Sequence, residues 1–172
     1  MSVITVAKPA EEIVARLTRR PDLPVVVIGC DKCAKLSHTG GVEEVLAMRR
    51  FLRGSSCRLW EVEGLPDAVE EGLCDPKAVP GRVAPLASEA SKIQVLVLSC
   101  GAGLKCVRDA LPGAVIVPGL DTLGPGVKGE LACLSCGHCR FGEDGCAMLP
   151  LSRLRAERLS CSYPKLAQEG GS

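Results

Sequence analysis

The residues in this chain best suited to chemistry are cysteines grouped in its last third. Three of them recur at every third position in Cys133-Leu-Ser-Cys136-Gly-His-Cys139, and Cys146 follows after a loop. A Cys-x2-Cys-x2-Cys run is typical of the thiolates that ligate three irons of a [4Fe-4S] cluster, which makes Cys146 the natural fourth ligand. Four thiolates also form tetrahedral zinc sites, but zinc usually uses two separated Cys-x2-Cys pairs. The spacing therefore favours a cluster, with zinc as the alternative.

The identity of the fourth ligand stays open between Cys146 and Cys161. In the ferredoxin run a proline follows the last cysteine, whereas Ala147 follows Cys146 here, after a longer loop. Cys161, in the segment LSCSYPK, is therefore either the fourth ligand or a tail cysteine without a role. His138 lies between two of the predicted ligands, and we interpret it as a solvated loop histidine.

A second group of cysteines follows predicted strands. Cys30 ends the apolar run VVVIGC and Cys100 ends IQVLVLSC. Such runs predict strands buried on both faces of a parallel sheet, and ligands bind beyond the carboxyl ends of these strands. Cys33 and Cys74 would complete a set of four thiolates at that edge. Burial without ligation is the alternative for Cys74 and Cys100, because free cysteines are often buried.

Glycines near these strand ends could present backbone amides to an anionic centre. Gly40 and Gly41 begin one predicted helix, and Gly101 and Gly103 begin another. Their N–H groups suit cluster sulfurs or a cofactor phosphate. The sequence after Gly103 lacks the third glycine of a dinucleotide motif, and a thioredoxin-like pair fits poorly because the first two glycines separate it from its helix. We interpret His38 as a solvated loop residue.

Alternating strand and helix patterns predict how these residues are positioned. A helix follows Pro9, a second covers VEEVLAMRRFL, a strand covers CRLWEVEGL, and short helices occupy residues 65–92. Strand, turn, helix and strand follow from IQVLVLS to AVIVPGL, as in a βαβ unit. We expect an α/β fold with a small doubly wound, Rossmann-like parallel sheet over residues 1–128. A cysteine-rich metal-binding segment, with a C-terminal helix and tail, covers 129–172.

Composition narrows the class of protein. The 21 Lys and Arg residues nearly balance 20 Asp and Glu residues, so no basic field favours nucleic acid as a partner. No leader segment and no apolar run long enough to cross a membrane is present, and we expect a cytoplasmic protein. Eleven cysteines in a reducing compartment indicate metal ligation rather than disulfides. We assign Cys57 and Cys106 to core packing, and no catalytic residue is predicted.

Several motifs together give the chain a family resemblance. It resembles the small MetV subunit, or C-terminal zinc or iron–sulfur domain family, of bacterial methylenetetrahydrofolate reductases. The likeness covers most of the chain, in the order ITVAKPAEEIV, VVVIGCDKCAKLSHTGGVEEV, GLCDP, LVLSCGAGLKCV, AVIVPGLDT and LACLSCGHCRFGEDGC. The chain departs from the family at Ser37, where many relatives have a third cysteine, and it lacks the family's Cys- and Gly-rich tail.

The resemblance implies a non-catalytic subunit of an oxidoreductase complex. Its partner would be a flavin-bearing MetF-type subunit, a (βα)8 barrel in which methylenetetrahydrofolate is reduced. The small subunit would carry one or two [4Fe-4S] clusters, or zinc, and would relay electrons from a ferredoxin or a heterodisulfide-reductase-like donor. Both cysteine groups match the family's: Cys133, Cys136, Cys139 and Cys146 the run, and Cys30, Cys33, Cys74 and Cys100 the scattered positions.

Overall fold

Two of the apolar runs form the centre of a parallel sheet. In the computed structural model, which describes residues 2–127, 131–132 and 149–150, VVVIGC is strand β2 (Val25–Cys30) and QVLVL is strand β4 (Gln94–Leu98). Every residue of both strands is buried, and the two pair in parallel over five positions. Burial on both faces requires such continuous apolar runs. The predicted α/β fold with a parallel sheet is therefore confirmed.

The order of the parallel strands contains a reversal. Strand β3 (Ala68–Val69) lies beside β2, and β5 (Val115–Pro118) lies beside β4, which gives the order β3-β2-β4-β5. The chain moves from β2 outward to β3, then returns past β2 to β4 and continues in the other direction. Connections thus diverge between β2 and β4. In open α/β sheets, ligands bind at such a switch point, beyond the carboxyl ends of the strands.

Helices connect the strands largely where the sequence predicts them. The helix after Pro9 is confirmed but ends before Thr18, and the helix that follows Gly41 and the short helices within 65–92 are also confirmed. The helices are α1 (Ala10–Leu17), α2 (Cys33–Leu36), α3 (Val42–Arg53), α4 (Val79–Arg82), a 3-10 helix (Ala84–Lys92) and α5 (Gly101–Ala110). Among the described residues, none of these helices has the length and apolar character that a membrane span requires.

A second, antiparallel sheet lies outside the sequence prediction. Strand β1 (Ser2–Ala7) pairs with β6 (Leu120–Val127), and we call this pair the β1–β6 ribbon. Strands β7 (Leu131–Ala132) and β8 (Leu149–Pro150) complete the order β1-β6-β7-β8. The ribbon's register shifts between Ile4 and Thr5, an irregularity of the kind that redirects side chains.

The strand predicted over CRLWEVEGL is wrong, because the structure contains only one bridge there, from Val25 to Leu59. The cause is a side chain that occupies the edge of β2. Arg49 donates a hydrogen bond of 3.1 Å to the carbonyl oxygen of Val27 and pairs with Asp67. A continuing strand would need that carbonyl for its own ladder. Pairing on this side of β2 therefore resumes only at β3.

Candidate metal centre

Two of the predicted ligands lie at the switch point of the parallel sheet. Cys30 is the last residue of β2, and Cys100, two positions beyond β4, is the N-cap residue of α5. Because β2 and β4 are adjacent and parallel, both residues lie at one edge of the sheet. They are 4% and 7% exposed, respectively. The strand ends thus place two buried thiols together, as the sequence predicts.

Cys33 joins this edge because the chain turns back over it. Cys33 begins α2 and is half-buried, and the following loop returns so that the carbonyl oxygen of Gly40 accepts a hydrogen bond of 2.8 Å from the amide of Cys30. A Cβ at Gly40 would lie 2.8 Å from the Cβ of Ala34 and would also overlap the carbonyl oxygen of Leu98. Only glycine lets the loop cross the strand ends this closely.

Cys74 approaches from the loop that follows β3. Gly72 has a φ of +87°, and a Cβ there would lie 3.0 Å from the side chain of Lys32. Leu73 is fully buried, and a Cβ at Gly103 would lie 2.9 Å from the Cβ of Leu73. This loop is therefore packed between the β2–α2 connection and the first turn of α5. Cys74 itself remains exposed.

The other three cysteines are close enough to Cys74 to influence the pKa of its thiol. Although the Cys74 side chain is exposed, partial desolvation by neighbouring atoms is the largest cause that raises the pKa of its thiol above the usual value, and nearby Cys30, Cys100 and Cys33 raise that pKa further. The raised pKa favours the protonated form of Cys74 in the absence of a cation. A bound metal ion reverses this preference, because a coordinated thiol is deprotonated.

The thiols do not form a closed ligand set in this structure. In residues 2–127 and the two short strands beyond them, no group of three or more Cys, His, Asp or Glu side chains is arranged to hold a metal ion. Metal binding would thus require the thiols to turn toward a common point. Cys74 is best able to do so, because it is exposed and lies on a loop.

Two of the four glycine amides that we predict to face a cofactor, those of Gly41 and Gly101, donate hydrogen bonds to side chains of this chain. The amide of Gly41 donates to the carboxylate of Glu44 at 2.8 Å, which caps α3. The amide of Gly101 donates to the hydroxyl of Thr122 at 2.9 Å. Gly40 and Gly103 are instead places of close packing, as described above. Cofactor binding by these four glycines stays a prediction.

The downstream cysteine run lies outside the described residues. This applies to Cys133, Cys136, Cys139 and Cys146, and also to Cys161, His138 and the predicted C-terminal helix. The strands on either side of the run are described. Ala132 of β7 pairs with Leu149 of β8, so the run lies between two paired strands.

The remaining cysteines and the other histidine occupy different surroundings. Cys57 and Cys106 are half-buried and pack against the core, as predicted, although Cys57 does not lie in a strand. His38 is exposed, with a φ of 51°. It ends α2 in a Schellman-type turn, because the amide of Thr39 donates to Ala34 and that of His38 to Lys35.

Cys30, Cys33, Cys74 and Cys100 lie at one edge of the parallel sheet, which we call the cysteine edge. The sequence analysis missed one acidic residue there. Asp31 directly follows Cys30, and its Oδ2 accepts a hydrogen bond of 2.7 Å from Lys35. Its Oδ1 is buried and has no hydrogen-bond partner among the described residues. A carboxylate that directly follows Cys30 adds negative charge, which favours a cation at this edge. Its position between the cysteines of Cys30-Asp-Lys-Cys33 is the signal that could have identified it.

The fold and the site thus define an α/β protein with a parallel four-stranded sheet and four cysteines gathered at its switch point. Searches of protein-family models, of curated proteins and of solved structures find no match to the chain.

Proposed function

We propose that this chain is an iron–sulfur accessory and electron-transfer subunit of a methylenetetrahydrofolate reductase complex. Its partner would be a flavin-containing MetF-type catalytic subunit, and its electron donor a ferredoxin or a heterodisulfide-reductase-like protein in the cytoplasm. The single observation that carries the proposal is the gathering of Cys30, Cys33, Cys74 and Cys100 at the switch point, where α/β sheets bind ligands. The MetV-like motifs support the choice of complex.

The finer description of the fold belongs to the same proposal. The divergence of connections between β2 and β4 supports a small doubly wound sheet over residues 1–128. The segment 129–172 would then be the metal-binding appendage, with four of its five cysteines between β7 and β8 in the sequence. Catalysis on the folate would lie in the partner, so the chain itself would be a non-catalytic subunit.

The donor chemistry at the cysteine edge fits an iron–sulfur cluster or zinc. Thiolates are the ligands that both groups prefer, and no histidine is needed. Buried Cys30 and Cys100 would hold the group on its protein side, and exposed Cys74 would close the site toward solvent. The amino end of α5, whose N-cap residue is Cys100, favours the negative charge that a thiolate-bound centre carries. A bound cluster would supply one-electron transfer.

Metal analysis of the full chain tests the proposal. After anaerobic purification we expect iron and acid-labile sulfide, brown colour, and an EPR signal on reduction with dithionite. Cys30→Ser and Cys100→Ser should lower the iron content by about half if two clusters are present. The matched control is Cys57→Ser, because Cys57 is half-buried outside this site and should leave the iron content unchanged.

Zinc is the alternative that the same measurement separates. Stoichiometric zinc, no visible absorption and no response to dithionite would support a structural zinc scaffold without redox activity. The absence of both metals would contradict either form of the proposal. The choice of partner is tested separately, by mixing the loaded chain with a MetF-type flavoprotein and a reduced ferredoxin and recording bleaching of the flavin absorption.

A further inference from the structure

The β1–β6 ribbon touches the cysteine edge through a buried group of hydroxyls. The amide of Thr5 donates a hydrogen bond of 3.2 Å to the hydroxyl of Ser37, and the hydroxyls of Thr5 and Thr39 lie 2.7 Å apart. The Thr39 hydroxyl also donates to the carbonyl oxygen of Ala34 in α2, at 3.1 Å. Thr5 and Ser37 are fully buried and Thr39 is 5% exposed. Strand β1 is therefore fixed to the helix that begins at Cys33.

The other strand of the ribbon touches the second cysteine-bearing element. The hydroxyl of Thr122 in β6 accepts a hydrogen bond of 2.9 Å from the amide of Gly101, the first residue of α5. Gly101 directly follows Cys100. An amide at the start of a helix has no partner within the helix, so this contact fixes the amino-terminal end of α5.

These two contacts come from one pair of residues. Thr5 and Thr122 are directly opposite each other in the ribbon, immediately beside its register shift. One threonine pair thus reaches α2, with Cys33, on one strand and α5, with Cys100, on the other. The sequence around these threonines does not mark them as part of the site, since both are far along the chain from Cys30, Cys33, Cys74 and Cys100.

We propose that Thr5 and Thr122 are positioning residues for the cysteine site, which hold the carboxyl end of α2 and the start of α5 at the separation that metal binding needs. The inference rests on the proposed function, because it assumes a metal group held by Cys30, Cys33, Cys74 and Cys100. A site whose thiols must still turn toward a common point depends on the spacing of the elements that carry them. Coupling is reciprocal, so metal binding should also stabilise the docking of the ribbon.

The test uses Co²⁺ alone as the probe, because thiolate-bound Co²⁺ absorbs in the visible and near-ultraviolet. The parent protein is the full chain in which four downstream cysteines are changed to serine, so that the absorption comes from Co²⁺ at Cys30, Cys33, Cys74 and Cys100, the strand-end site. The changes are Cys133→Ser, Cys136→Ser, Cys139→Ser and Cys146→Ser. We expect Thr122→Val to weaken Co²⁺ binding about 10- to 100-fold, the usual effect of removing a supporting contact, and Thr5→Val to do the same. Thr122→Ser keeps the hydroxyl and should restore binding.

The control variant is Thr18→Val, whose threonine is exposed at the end of α1 and whose Co²⁺ affinity and spectrum should match the parent. Thr122 is also exposed, so its valine variant tests the proposal even if Thr5→Val fails to fold. Hydrogen exchange of residues 2–7 and 120–127 should slow on addition of Co²⁺.

The outcomes separate the inference from the proposed function. If the parent binds no Co²⁺ with a thiolate spectrum, the strand-end site itself fails and the positioning role fails with it. If the parent binds Co²⁺ but Thr122→Val binds it with unchanged affinity and spectrum, the proposed function survives and the positioning role is refuted. Loss of binding in Thr122→Val without rescue by Thr122→Ser also refutes it, because a hydroxyl contact is then not the cause.

Discussion

Gly103 offers the sharpest test of how the cysteine edge is packed. It lies in the first turn of α5, and an added Cβ would lie 2.9 Å from the Cβ of Leu73 and 3.2 Å from the Cβ of Ser99. Both neighbours are buried and cannot move freely. Gly101, two residues earlier in the same helix, is the matched control, because the nearest atom to its added Cβ is the Thr122 hydroxyl at 3.8 Å.

Two effects of opposite sign decide the result of Gly103→Ala. Alanine is favoured over glycine in a helix by about 1 kcal/mol, and overpacking a filled space costs about 1–3 kcal/mol. We therefore expect the free energy of unfolding to fall by up to about 2 kcal/mol in Gly103→Ala and to stay level or rise by up to about 1 kcal/mol in Gly101→Ala. The difference between the two variants isolates the overpacking cost.

Urea unfolding of the metal-free chain measures this difference. A difference of about 1–3 kcal/mol separates the two midpoints by roughly 1 M urea. The change should also displace Leu73 and with it Cys74, so Co²⁺ binding should weaken in Gly103→Ala. If Gly103→Ala is as stable as Gly101→Ala, the close contact between α5 and the Cys74 loop is wrong, and so is this account of how Cys74 reaches the site.

Three further substitutions test other parts of the structure by urea unfolding. Gln94→Leu should lower the free energy of unfolding by about 1–3 kcal/mol, because the two N–H groups of the Gln94 Nε2 serve the carbonyl oxygens of Leu17, at the end of α1, and of Arg20 and Leu23 just beyond it; an unchanged midpoint would contradict this. Arg49→Met should cost a similar amount, since it leaves the Val27 carbonyl without its side-chain donor. Glu12→Gln tests the pH dependence of stability. The hydrogen bond from Lys8 lowers the pKa of Glu12 in the folded chain. The contact therefore stabilises the fold fully above the usual pKa of glutamate, and this stabilisation is lost as the pH falls through the lowered pKa. The variant should be less stable than the native chain by about 0.2–1 kcal/mol at about pH 7, and this difference should shrink as the pH falls below the usual pKa of glutamate. A difference that does not change with pH would refute the ionic contact.

The parallel strands and two of the site residues could be predicted because their signals are local. β2 and β4 are continuous runs of buried residues, and a cysteine at the end of each follows directly from the sequence. That both ends lie at one edge follows from the parallel arrangement alone. The prediction therefore succeeded where a run of a few neighbouring residues determines the structure.

The β1–β6 ribbon could not be predicted in the same way. β6 runs through Gly124, Pro125 and Gly126, residues that usually mark a break in regular structure. Its pairing with β1 joins residues more than 100 positions apart, and the hydroxyl contacts of Thr5 with Ser37 and Thr39 span more than 30 positions. The missing strand over CRLWEVEGL has a related cause, because it depends on where Arg49 reaches. Such long-range contacts leave no local periodicity.

The pairing of β7 with β8 has a consequence for the chelate effect. Ala132 and Leu149 are paired, and the sixteen sequence positions between them, 133 to 148, include four cysteines. Closing a free loop of that length costs about 2.5 kcal/mol of chain entropy. Strand pairing would supply this closure before a metal arrives, which raises the effective concentration of each thiol for the others. A tail bearing the same cysteines without β8 would have to meet that entropy cost from the binding energy of the metal.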